Sequence, residues 1–143
     1  MRKLMLKPLI ATTFLLIFLA ACTEDTSNAI EFQCYDFLDQ NHIITEISVE
    51  KGNQFSIILC ANPTTGFRWG AATTDNDNIV INLYSGFICP ASSPESESEK
   101  LGRNVWVFQA IDKGKCIIDI DSSVARETSQ ESYWSFTANV IVK

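Results

Sequence analysis

Cysteine and histidine are the residue types here that could do nucleophilic or metal chemistry. The 143-residue chain has five cysteines and one histidine, at positions Cys22, Cys34, Cys60, Cys89, Cys116 and His42. A Cys/His catalytic pair would need His42, which lies in the polar stretch DQNH, typical of an exposed turn. The cysteine spacings match no zinc or haem signature. We therefore predict that the chain is not an enzyme and that it holds no metal or other cofactor.

The start of the chain has the layout of an export signal. A basic start, MRKLMLK, precedes the apolar run PLIATTFLLIFLA, which is too short to span a membrane comfortably as a helix. The following Leu19-Ala20-Ala21-Cys22 resembles the lipobox of bacterial lipoproteins, whose cysteine is cleaved on its amino side and acylated. The resemblance implies a signal peptide over 1–21, a lipid on Cys22 with a tether over 22–30, and a folded domain over 31–143. The alternative is an ordinary signal peptide cut nearby, with Cys22 left as a free thiol.

The net charge and the predicted export of the chain limit the kinds of partner that it can bind. Removing residues 1–21 takes away three basic and no acidic residues, so the net charge falls from −6 to −9. An acidic chain of this kind does not suit nucleic acid or an anionic membrane surface. We expect an exported monomer, held by its lipid on the cell membrane or outer membrane and facing the periplasm or the exterior. In such a compartment the four cysteines besides Cys22 favour two disulfides, for which three connectivities exist.

The elements that must position any site are strands. The chain contains short apolar or alternating runs separated by Gly, Asn and Asp: IEFQCYDFL, IITEISV, FSIIL, FRWGA, IVINLYSGFI, RNVWVFQAI, CIIDIDS and YWSFTANVIV. Trp106 and Phe108 alternate with valines, and Ile118 and Ile120 alternate with aspartates. No window carries a helical stripe of three turns. The pattern predicts one all-β domain, a β-sandwich of about seven to eight strands.

Between two of these runs lies the stretch NPTTGF. Pro63 fixes its own φ and biases Asn62 towards an extended conformation, while Gly66 can adopt a positive φ. Thr64 and Thr65 offer hydroxyls and accessible backbone. By itself the stretch is typical of a stiff inter-strand turn, and a stiff turn loses little entropy when it docks into another protein.

The longer string NPTTGFRW resembles the first signature of chagasin-type inhibitors of papain-like cysteine proteases. The resemblance implies an immunoglobulin-like sandwich that blocks the protease cleft reversibly with three loops from one end. Asn62, Pro63, Thr64, Thr65, Gly66 and Phe67 would lie over the catalytic cysteine, and Trp69 would be a core residue. The other two family motifs depart from the pattern. Where GxGG is expected the chain has Glu99-Lys100-Leu101-Gly102, followed by Arg103, and where Arg-Pro-Trp is expected it has Val124-Ala125-Arg126.

The resemblance also bears on the disulfides. In this fold Cys60 stands at the loop end of its strand, whereas Cys116 opens a strand at the far end, so these two should not bond. We expect Cys60 to pair with Cys89, and Cys34 with Cys116. Tyr133 and Trp134 are expected either to be the first inward-facing residues of the last strand or to replace the missing contacts of the third motif.

Two functions follow. The first is a lipid-anchored inhibitor that occludes the cleft of a papain-like cysteine protease, which the intact NPTTGFRW favours. The second is a surface lipoprotein that keeps the fold but recognises a different partner, which the missing Arg-Pro-Trp favours. Fold alone does not decide between them.

Overall fold

The computed structural model describes residues 28–61, 67–90, 101–124 and 134–143. Within these ranges lie nine strands and one 3-10 helix at Cys34–Phe37, and no α-helix. The strands are β1 (Asn28–Phe32), β2 (His42–Val49), β3 (Gln54–Ala61), β4 (Phe67–Trp69), β5 (Thr73–Thr74), β6 (Val80–Ile88), β7 (Gly102–Ala110), β8 (Gly114–Val124) and β9 (Ser135–Val142). The all-β prediction is confirmed. The predicted run FRWGA contains only the three-residue β4, and the two-residue β5 lies just beyond it.

The strands form two sheets that pack as a sandwich. The first has the order β1-β3-β7-β6, and the second has the order β2-β9-β8-β4, with β5 also paired to β8. β1 runs parallel to β3 and β2 runs parallel to β9, while the remaining pairs are antiparallel. Both sheets are therefore mixed.

The core lies between the sheets and follows the alternation of the sequence. Trp106 and Phe108 of β7 are buried, as are Ile118 and Ile120 of β8. Asp119, between the two isoleucines, is exposed. Because each large apolar side chain contributes about 1.5–3 kcal/mol when fully buried, the two facing rows hold the sheets together.

The first strand differs from its prediction. The run IEFQCYDFL is not one strand, because β1 ends at Phe32 and the 3-10 helix begins at Cys34. Asp36 Oδ2 accepts a hydrogen bond from the Gln33 amide at 2.7 Å, which stabilises the start of that helix. β1 also begins at Asn28, inside the predicted tether, because Asn28 pairs with Phe55 of β3. The folded domain thus starts before residue 31.

Residues 1–27, which include the predicted signal peptide and Cys22, lie outside the described part of the chain. Among the residues that are described, no helix has the length and apolar character needed to cross a membrane.

Candidate functional site

Several strand ends meet at one end of the sandwich, which we call the loop end. In the first sheet, Ala61 at the end of β3 pairs with Gly102 at the start of β7. In the second, Phe67 at the start of β4 pairs with Val124 at the end of β8. A hydrogen bond of 2.7 Å from Trp69 Nε1 to the Cys60 carbonyl oxygen joins the two sheets here. The three predicted binding segments are residues 62–67, 101–103 and 124–126. The chain therefore enters or leaves all three at the same end of the sandwich.

The predicted protease-binding residues are placed only in part. The described ones, all at the loop end, are Phe67, Leu101, Gly102, Arg103 and Val124. The remainder lie outside the described residues: Asn62, Pro63, Thr64, Thr65, Gly66, Ala125 and Arg126. Their binding role stays a prediction.

Trp69 fixes the strand that follows the first segment. Its side chain is 7% exposed and belongs to the core, as the sequence predicted. Its hydrogen bond to the Cys60 carbonyl reaches back across the segment, from β4 to β3. Both strands that flank residues 62–66 are thus tied to each other by a buried polar contact, which restricts how far their ends can move apart.

Phe37 closes the core at the loop end. It is fully buried, with its ring centroid 5.0 Å from that of Trp134 and 5.3 Å from that of Trp69. The first contact is stacked and the second tilted, and both geometries are favourable for aromatic pairs. Trp134 is half-buried and packs against the core, as one of its two predicted roles required. Phe37 was not singled out in the sequence; the Gln33-to-Asp36 spacing of a capping box was the available signal.

Gly102 is the one residue of the expected GxGG motif that the chain retains. An added Cβ at this position would lie 2.2 Å from the Phe87 ring and 3.2 Å from the Ile88 carbonyl oxygen. Because carbon atoms cannot approach so closely, the Phe87 ring, which is 44% exposed on β6, would have to move before a larger residue could fit. A glycine therefore has a packing reason at this position.

Arg103 lies next to Gly102 on the outer face of the first sheet. It is exposed, and its Nη1 atom lies 3.4 Å from Glu31 Oε1 on β1. An exposed pair of this kind contributes little to stability, about 0–1 kcal/mol. Arg103 is thus held loosely, and its guanidinium stays accessible at the loop end.

The disulfide prediction was wrong. Cys34 bonds Cys60, with their Cα atoms 5.4 Å apart, while Cys89 is an exposed thiol and Cys116 a buried one. The reason is the parallel pairing of β1 with β3, which sets Phe32 opposite Leu59 and carries the next residues to Cys60. The argument against a Cys60–Cys116 bond agrees with the structure. Burial raises the pKa of the Cys116 thiol to about 11.

His42 begins β2 rather than lying in a turn, and its Nδ1 atom contacts Ser135 Oγ. His42 is exposed and lies opposite Ser135 in the pairing of β2 with β9. Over the described residues, no three His, Cys, Asp or Glu side chains cluster closely enough to hold a metal ion.

Comparison with known families gives one match over most of the domain. The model of the family described as "Chagasin family peptidase inhibitor I42" matches residues 48–140. Comparison with curated proteins finds no match. The family is one of inhibitors and not of enzymes, in agreement with the prediction made from the residues.

Solved structures share the fold. The cysteine protease inhibitor EhICP2 from Entamoeba histolytica superposes with a TM-score of 0.60 at 14% identity, over 82% of this chain and 98% of that chain. PbICP-C, solved in complex with falcipain-2, has a TM-score of 0.53 at 14% identity, over 82% and 100%. Amebosin, solved in solution, has a TM-score of 0.52 at 21% identity, over 71% and 96%. These similarities support the immunoglobulin-like sandwich.

Proposed function

Because the chain belongs to the chagasin family of peptidase inhibitors, we propose that it inhibits papain-like cysteine endopeptidases by inserting Asn62–Phe67 into the protease cleft. The observation that carries the proposal is that the strand ends flanking the three predicted binding segments lie together at the loop end. Ala61 pairs with Gly102 in the first sheet, and Phe67 pairs with Val124 in the second. A row of adjacent loops suits an elongated cleft better than a single loop does.

The attachment of the first segment supports insertion. On one side Cys60 is bonded to Cys34, and on the other Trp69 is buried and hydrogen-bonded to the Cys60 carbonyl. Both flanks are thereby fixed to the core before any protease binds. A segment with fixed ends loses less conformational entropy on docking, and this raises affinity without new contacts.

The chemistry of the segment supports reversible, non-covalent inhibition. NPTTGF contains no acid, base or strong nucleophile. It can offer hydroxyls, backbone amide groups and an aromatic side chain, which form hydrogen bonds and apolar contacts only. The protease thiol would therefore be covered rather than modified.

The partner class is supported by a structural neighbour. PbICP-C was solved with falcipain-2, and its fold is that of the present domain. We extend this to a papain-like protease as the partner of this chain. We also propose that the chain acts as a monomer and that a lipid on Cys22 holds it at a membrane after export.

Inhibition of papain by the purified chain tests the proposal directly. The test variant carries Thr65→Asp and Gly66→Glu, which place two negative charges in the segment. Burying an unpaired charge in an interface costs about 3 kcal/mol or more, so the inhibition constant should rise by about 100-fold or more. The control is Lys113→Glu, which changes the net charge by the same amount in the turn between β7 and β8, at the opposite end of the sandwich.

We call the Thr65→Asp/Gly66→Glu protein the loop variant. We expect the parent and Lys113→Glu to inhibit papain and the loop variant to lose this inhibition. A folded, disulfide-bonded parent that fails to inhibit papain and a cathepsin-L-type protease would refute the proposal. That outcome would favour the second function, a surface lipoprotein with the same sandwich and a partner other than a protease.

A further inference from the structure

We propose that the turn formed by Cys34–Leu38 is an additional protease-contacting element, in which Tyr35 and Leu38 contact an apolar rim beside the cleft. The inference rests on the proposed function and adds a contact to it. The family match covers residues 48–140, so this turn lies before the matched segment. We call it the apolar turn.

The connectivity places the apolar turn at the loop end. β1 ends in the first sheet at Phe32, opposite Leu59 near the end of β3. β2 begins in the second sheet at His42, opposite Ser135 at the start of β9. The chain between these strands must cross from one sheet to the other at the end where the three predicted segments also begin or finish.

Its backbone is held from several directions. The Cys34–Cys60 bond fixes it to β3, two residues before Asn62. Phe37 is buried between the two sheets, and the Asp36 carboxylate accepts a hydrogen bond from the Gln33 amide. A protease that contacts this turn would therefore meet a surface that is already ordered, at low entropic cost.

The exposed side chains of the turn are large and apolar. Leu38 is 73% exposed and Tyr35 is 68% exposed, more than any other large apolar side chain in the described part of the chain. Asp36 follows Tyr35 and Asp39 follows Leu38 in the chain, so each apolar side chain has an acidic neighbour. Tyrosine is enriched among the residues that contribute most to protein interfaces, and a polar border is common around them.

The turn also neighbours the segment that lacks the expected Arg-Pro-Trp. Phe37 stacks on Trp134, the first described residue after 125–133. The Trp134 ring therefore packs against the turn, beside the core. Tyr35 and Leu38 can supply the apolar contact that the third motif no longer provides.

Inhibition constants for papain, measured with the purified chain, test the inference. The double variant Tyr35→Ala/Leu38→Ala should raise the inhibition constant at least tenfold, chiefly through faster dissociation. Leu83→Ala/Tyr84→Ala removes the same two residue types from exposed positions along β6, and it should change the constant less than twofold. Urea midpoints of both variants should stay near that of the parent, because all four side chains are exposed. Leu38→Glu provides a second, charged variant of the turn and should weaken inhibition as well.

The outcomes separate the two proposals. If the parent inhibits papain, the loop variant abolishes inhibition and the turn variants match the parent, the apolar turn is not a contact and the proposed function stands. Equal weakening by the control pair would also overturn the inference. If the parent does not inhibit, both proposals fail together.

Discussion

Replacing Phe37 by alanine tests whether the stretch before the family match is part of the domain's core. Phe37 is fully buried and lies against Trp69, the last residue of β4, and Trp134, which immediately precedes β9. The substitution removes the ring from both contacts and leaves a cavity between the sheets. No neighbouring side chain of the short 3-10 helix can replace it, since Tyr35 and Leu38 point to solvent.

The expected loss follows from burial and ring contacts. Truncating a buried phenylalanine to alanine costs about 3–5 kcal/mol, and the stacked partner places this case near the middle, at about 4 kcal/mol. Domains of this size have free energies of unfolding of about 5–15 kcal/mol, so the loss is a large part of the total. With a urea slope of about 2 kcal/mol per molar, the midpoint should fall by about 2 M.

Equilibrium unfolding in urea, followed by tryptophan fluorescence with the disulfide intact, measures this change. Leu38→Ala is the matched control, because it truncates the next residue along the chain at a site that is 73% exposed. The control should lie within about 0.5 kcal/mol of the parent. A loss below about 1 kcal/mol for Phe37→Ala, with an unchanged slope, would refute the assignment of Phe37 to the core.

Three further predictions concern the buried groups. Without reduction or unfolding, iodoacetamide at neutral pH should modify Cys89 and leave Cys116 intact, and peptide mapping that finds native Cys116 modified would contradict its burial. Because the folded pKa of Cys116, about 11, lies above its ordinary 9.0, its contribution to stability is complete below pH 9 and is lost as the pH rises through 11. The parent should lose on the order of 2 kcal/mol more than Cys116→Ala over that range, and parallel urea titrations of the two proteins would argue against it. Trp69→Phe removes the hydrogen bond to the Cys60 carbonyl and should lower the free energy of unfolding by about 1–3 kcal/mol, which an unchanged urea midpoint would disprove.

The strands could be predicted from the sequence because the alternation of apolar and polar residues is a local pattern. Trp106 and Phe108 alternate with residues of the opposite face, and the structure buries both. Such a period of two arises directly from the geometry of a strand that has one face on a core. The same signal says nothing about which strand is the neighbour or in which direction it runs.

The two wrong predictions, the disulfide pairing and the length of the first strand, depend on which strands are neighbours and how they are connected. The pairing of Cys34 with Cys60 depends on β1 lying parallel to β3, and alternation is the same for parallel and antiparallel neighbours. The 3-10 helix was missed for a related reason: EFQCYDF alternates well enough for a strand, but the chain has to leave the sheet at Gln33 to reach β2. Tertiary connectivity decided the local structure there.

The candidate site was found by its string of residues rather than by physical pattern. Spacing alone describes NPTTG as an ordinary turn, since nothing in it is charged or reactive. The position of its flanking strands depends on the sheet order. The role of Phe37 depends on its contacts with two tryptophans that are 65 positions apart in the chain.

The direction of the first strand has a consequence for how the molecule would stand on a surface. Asn28 pairs with Phe55, at the beginning of β3, so the chain enters the sandwich at the end opposite the loop end. Cys22 lies six positions before Asn28, and a chain of that length reaches at most about 20 Å. A strand of eight residues adds about 25 Å of height. If the proposed lipid anchor holds, the loop end would face away from the bilayer, up to about 45 Å above the attachment point.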